Sequence, residues 1–158
     1  MRFAPFANFT AIASTLIICS QAMAADPVRY GTSYDQLQLG TTCSGNISCQ
    51  VNFSQLPSDR LFMLSKVNCS VNSTQPLATA LVSASTASGG WPIGRGVNFN
   101  LGPALFAANL YFYSIEADAR FLIGQGRFPY IQVMTSSFVN ANIQMSCGIV
   151  GDLVTPIQ

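Results

Sequence analysis

The chain has 158 residues, 49% of them hydrophobic and 8% charged, with seven basic side chains against six acidic ones and no histidine. So sparse and balanced a charge set excludes the basic stripe that nucleic-acid binding requires. Without histidine, this chain assembles neither a Ser-His-Asp nor a Cys-His nor a His-metal arrangement.

Met1 to Ala24 carries Arg2 as its only charge, an apolar run from Ala11 to Cys19, and the small-x-small ending Ala22-Met23-Ala24. That pattern predicts a secretory signal peptide over 1–24. Its apolar run falls short of the roughly 18 residues that cross a bilayer, so no membrane span is expected after cleavage. A single domain, 25–158, is expected to remain, in a secreted or periplasmic location. It contains Cys43, Cys49, Cys69 and Cys147. An even set in an oxidising compartment reads as two disulfides, with three connectivities open. Cys43 and Cys49 flank the turn-prone Ser44-Gly45-Asn46-Ile47-Ser48 and can meet locally, which leaves Cys69 for Cys147. The spacing is not that of a zinc ribbon, and neither a metal nor a cofactor is expected.

Val28 to Leu39 suggests an irregular strand or two short ones, broken at Gly31. After the cysteine loop, Gln50 to Phe53 forms a short strand that ends in a turn at Pro57-Ser58-Asp59. Arg60 to Val71 alternates, with Leu61, Met63, Val67, Cys69 and Val71 assigned to the core face and Lys66, Asn68 and Ser70 to solvent. Leu77 to Ser83 returns as a hairpin strand. Ser85 to Gly96 has no period and contains Trp91, the only tryptophan. It reads as a long, flexible loop, and loops of this kind often carry function. Trp91 is expected to plug one end of the sandwich; exposed, it would stack on a sugar ring or anchor a partner.

Val97 to Leu101 pairs briefly, and Leu105 to Ile123 is the longest apolar segment. Its second half has period two, with Tyr111, Tyr113, Ile115, Ala117, Ala119 and Phe121 on one side. A helix competes over Ala104 to Leu110, and a bulge or break near Ser114 to Asp118 would split the segment into two strands. Phe128 to Thr135 leads into Phe138 to Val154, where Val139, Ala141, Ile143, Met145, Cys147 and Ile149 share one face. Cys69 and Cys147 thus both point inward, as a bridge between packed or neighbouring strands requires. The last strand is expected to act as a clasp that closes and locks the sandwich.

The ending Cys147-Gly148-Ile149-Val150-Gly151-Asp152-Leu153-Val154, with Leu61-Phe62-Met63-Leu64 after a Pro-Ser-Asp turn, resembles small secreted bacterial β-sandwich proteins of unassigned function. The resemblance covers two strands and implies a fold, not an activity.

The expected architecture is all-β, a disulfide-bonded antiparallel β-sandwich or jelly roll of roughly eight to ten short strands. The expected function is that of a non-catalytic binding or structural module, with a glycan or a cell-surface protein as partner and an oligomer left open. The alternative is a carbohydrate-binding module that uses Trp91, Tyr111, Tyr113 and Tyr130 as stacking platforms. A glycosidase built on Glu116 and Asp118 ranks third. Those carboxylates are two residues apart on a strand, roughly 6 to 7 Å, a spacing that acid-base work on a glycosidic bond can use.

Overall fold

Alternating apolar and polar side chains build ten β-strands in the computed structural model, which describes residues 25–137 and 139–157. The stretch 1–24, where the signal peptide is expected, lies outside the described residues. The strands are β1 (Val28–Tyr30), β2 (Ser33–Asn46), β3 (Ser48–Asn52), β4 (Leu61–Ser73), β5 (Leu77–Ser85), β6 (Val97–Phe99), β7 (Leu105–Ala107), β8 (Leu110–Ile123), β9 (Phe128–Thr135) and β10 (Ala141–Val154). They form a six-stranded sheet in the order β1-β2-β10-β4-β8-β7 and a four-stranded sheet in the order β3-β9-β5-β6. Every pairing is antiparallel.

With the short edge strands β1 and β7 set aside, the partners nest: β2 with β10, β3 with β9, β4 with β8, β5 with β6. The first half of the chain pairs with the second half run backwards. This is one long hairpin rolled so that its strands divide between two facing sheets, which is a jelly roll. Each sheet contributes one apolar face to the core, and the other face meets solvent.

The inward set is continuous across the six-stranded sheet. Phe62, Leu64, Val67, Cys69 and Val71 come from β4, Ile115, Phe121 and Ile123 from β8, and Ile143, Met145, Cys147 and Ile149 from β10. Val51, Ala80, Val82, Ile131 and Val133 answer from the four-stranded sheet. Strand β2 differs, because its inward positions are Tyr34, Gln36 and Gln38, all buried. The Tyr34 hydroxyl donates to Gln36 Oε1 at 2.8 Å, and that same oxygen accepts from the Ser54 N–H at 3.0 Å. Gln36 Nε2 donates to Ser54 Oγ at 2.7 Å. These bonds satisfy a buried amide and tie β2 to the chain that follows β3, so the polar side chains are accommodated rather than stranded. Burial pushes the Tyr34 hydroxyl up to about 12, against a smaller opposing pull from Arg29.

Four expectations change. In β4, Phe62 and Leu64 are the buried residues before Ser65, and Leu61 and Met63 are half-exposed. The register slips at Ser65 against both β8 and β10, and a one-residue slip exchanges the two faces of a strand. Val139 lies before β10 and is 60% exposed, because pairing begins only at Ala141. The segment Leu105 to Ile123 contains no helix and is not split near Ser114 to Asp118, but its register against β4 shifts just after Asp118, where Asp118 to Phe121 faces Lys66 to Leu64. It turns at Ala108-Asn109, both with positive φ (50° and 61°), which is the geometry of a two-residue hairpin loop. Finally, β2 is long rather than short, and only Ile47 separates it from β3.

Both disulfides form as paired above, Cys43 with Cys49 and Cys69 with Cys147, but their roles exchange. Cys69 and Cys147 are directly opposed on neighbouring strands β4 and β10, with Cα atoms 4.1 Å apart. That bond staples one sheet and does not clasp the two together. Cys43 belongs to β2 and Cys49 to β3, on opposite sheets. The bridge with the shorter loop therefore joins the sheets, at the corner where the chain passes from one to the other.

Candidate functional site

The charges divide by sheet. β3, β5, β6 and β9 read SCQVN, LATALVSAS, VNF and FPYIQVMT, without one Asp, Glu, Lys or Arg among them. Arg29, Asp35, Lys66, Glu116, Asp118, Arg120 and Asp152 all lie in the six-stranded sheet. The molecule thus has one charged outer face and one neutral one.

On the charged face, Glu116 and Asp118 stand exposed in β8. Glu116 accepts a hydrogen bond from Lys66 on β4, which lowers its pKa and raises that of Lys66. A general acid needs the opposite shift, toward protonation at neutral pH. A depression of about 520 Å³ crosses this face over Gly148, lined by Leu37 and Val150 among apolar residues and by Asp35, Lys66, Asn68 and Ser70 among polar ones. It contains no aromatic ring, and its one cation is the lysine already held by Glu116. Among the described residues, no three or more His, Cys, Asp or Glu side chains are grouped to hold a metal ion.

The neutral face carries the loop between β5 and β6. Ile93 N–H donates to Ala84 O at 3.0 Å, and Pro92 bridges to Ser85, so the loop's return limb runs beside β5. The buried Ser83 hydroxyl donates to Arg95 O at 3.1 Å. At the outer end Gly89, with φ +71°, donates its N–H to Asn52 Oδ1 at 3.2 Å. A second bond to that oxygen comes from Gln50 Nε2 at 2.7 Å. These contacts hold the loop against the sheet from β5 across to β3, so the expected flexible excursion is instead a strap.

The strap decides the fate of two aromatics. Tyr130 points away from the core on β9, and the strap covers it to 1% exposure. Trp91 is 90% exposed. It does not plug the end of the sandwich, because the strap lies over a sheet face and Tyr130 already fills the space beneath. Gln50, Gly89, Gly90, Trp91, Pro92 and Gln132 line a cleft of about 280 Å³, with Tyr130 at its floor.

The expected stacking set is therefore dispersed. Tyr113 is 8% exposed on the inner face of β8, and its hydroxyl accepts the Leu77 N–H at 2.9 Å, a link between the sheets. Tyr111 is half-buried at the sheet edge with its ring 4.7 Å from that of Phe106. Neither stands beside Trp91, and Tyr130 offers no free ring face. What the sequence did not single out is the pair of amides next to Trp91. Gln50 and Gln132 are outward residues directly opposed on β3 and β9. Their parity was readable within each strand; their adjacency was not, because the two strands are about 80 residues apart and meet only through the rolled topology.

Comparison with protein-family models, with curated proteins and with solved structures returns no match.

Proposed function

We propose that this chain is a non-catalytic binding module of an extracytoplasmic compartment, and that it takes neutral saccharides at Trp91. The observation that carries this reading is a large aromatic side chain left 90% exposed on a loop that hydrogen bonds hold in place. An exposed indole has no folding role in its position, and a flat apolar surface fixed beside amide donors and acceptors suits the apolar face and hydroxyl rim of a pyranose ring. The cleft is lined by no charged residue, which favours a neutral ligand. Two disulfides are compatible with an oxidising compartment, in keeping with the secretion signal expected at 1–24. Lectin domains are among the jelly rolls, but a fold hosts many functions, so the weight rests on the site.

A glycan array probed with the wild-type domain and with Trp91→Ala tests this. The expected result is binding to uncharged saccharides that the variant loses while keeping its melting temperature. Absence of saccharide binding, or binding untouched by the substitution, overturns the proposal.

A further inference from the structure

The Trp91 cleft does not end at β9. A second cleft of about 260 Å³ lies beyond it and shares Pro92, Tyr130 and Gln132 with the first. Its other lining residues include Leu81 of β5 and Asn98 of β6. The register makes these residues a row. Gln50 opposes Gln132, Gln132 opposes Leu81, and Leu81 opposes Asn98. One straight line of side chains therefore crosses all four strands at right angles to them. The strap forms the wall along its length, through Gly89 to Pro92 over the first half and through Gly94 and Gly96 over the second.

We infer that the two clefts are halves of one groove and that its occupant is a linear, neutral oligosaccharide lying across the strands. This rests on the reading of Trp91 as a saccharide platform and extends it. Three strand-to-strand steps of ~4.8 Å give a row of ~14 Å, about the length of three linked pyranose rings. The row, three amides with one apolar side chain among them, suits such a chain. Trp91 and Gln50 take the first ring, Gln132 and Leu81 supply an amide and an apolar contact to the second, and Asn98 hydrogen-bonds the third. An amide presents both a donor and an acceptor and so matches hydroxyls that are themselves both. No charged side chain lines either half. Arg95, the one cation on the strap, has its guanidinium 5.5 Å from the Phe121 ring on the other sheet and is turned away from the row. Acidic sugars therefore find no counter-charge here, which separates a neutral glycan from a uronate or a phosphorylated one.

The test is calorimetric titration of the whole domain with β-1,4-linked glucose and N-acetylglucosamine oligomers of increasing length. Affinity should rise about 10-fold with each ring up to the third, the equivalent of one good contact per ring, and then level off. Asn98→Ala, at an exposed position, should lose the gain of the third ring only, and Asn98→Leu, which keeps the size and removes both donor and acceptor, should do the same. Trp91→Ala should lose all lengths. Affinity that is independent of length, or a third-ring gain that survives both Asn98 variants, overturns the extended groove while leaving Trp91 as a single-ring site. No binding of any oligomer, with Trp91 fluorescence unmoved, overturns the saccharide reading on which the groove rests.

Discussion

The outer face of the six-stranded sheet is open and charged, with Lys66 and Glu116 joined across β4 and β8, whereas the outer face of the four-stranded sheet is uncharged and strapped by the Trp91 loop. The larger sheet also holds the tightest structural features: the Cys69–Cys147 staple, the close packing of Gly151 against Met63 and Phe62, and the buried Tyr34–Gln36 circuit. The smaller sheet holds an exposed indole and a row of amides that the core does not use. Stability is thus expected to concentrate in one sheet and ligand contact in the other, and substitutions can be ordered by how hard they press on that division.

The largest effect is expected from removing Cys69 and Cys147 together. Their bond spans 78 residues of sequence, and loop-closure entropy for such a span is worth roughly 4 to 5 kcal/mol. The Cys43–Cys49 bond spans 6 residues and should be worth roughly 2 kcal/mol on the same grounds, although it is the one that joins the sheets. Urea denaturation of the two double variants measures the difference. If loss of the corner bridge proves the more damaging, the junction between sheets and not the staple governs stability.

Next comes Gly151→Ala. A Cβ on Gly151 would meet the Met63 carbonyl oxygen and the Phe62 ring at distances no real Cβ tolerates. Phe62 lies over this glycine with its ring 5.0 Å from that of Tyr34. The backbone carbonyl has no room to yield, so a loss of about 2 to 3 kcal/mol in denaturant is expected from overpacking. A stable alanine variant would mean that β4 and β10 can separate without cost at this point.

Tyr34 gives a pH signature to the same region. The hydroxyl titrates near 12 in the folded chain and near 10 when unfolded, so between those values the folded state binds more protons. Stability should therefore fall as pH rises from about 10 to about 12, by at most on the order of 2 kcal/mol. Tyr34→Phe should flatten that part of the profile, as read by chemical denaturation at several alkaline pH values. The smallest effect has the opposite sign. Ala108 holds φ 50° in the β7–β8 turn, a conformation that costs an alanine about 1 kcal/mol. Ala108→Gly should raise the melting temperature slightly, with part of the gain offset by the entropy of the unfolded chain.

Much of the larger sheet was legible in the sequence. The alternation from Ala141 to Ile149 is that of the finished β10, and the same rule put Cys69 and Cys147 on inner faces, in agreement with the pairing left once Cys43 was given to Cys49. The rule failed at Ser65, where the slip depends on the registers of two neighbouring strands and leaves no mark in β4 itself. It was also underused: Tyr113 shares parity with Ile115, so its burial could be read directly from the pattern. The site on the smaller sheet was less legible. An apolar side chain in an aperiodic loop carries no sign of whether it faces in or out, and Trp91 faces out only because the strap lies flat and Tyr130 fills the space below. The amide row of Gln50, Gln132 and Asn98 needs the order β3-β9-β5-β6, a property of the rolled hairpin and not of any one segment. The neutrality of that sheet was present in the letters but had no meaning until the strands were sorted.

Trp91 is the only tryptophan of the chain, so tryptophan emission reports the proposed site alone, and titration of that emission with a neutral β-1,4-linked trisaccharide tests the division between sheets most directly. The free domain should emit at the long wavelengths of a solvated indole. Saturable addition of the sugar should shift emission to shorter wavelength and shield it from a soluble quencher, with no change in melting cooperativity. Emission already at short wavelength in the free domain, or emission unmoved while the sugar binds by calorimetry, would contradict the account and place the ligand elsewhere.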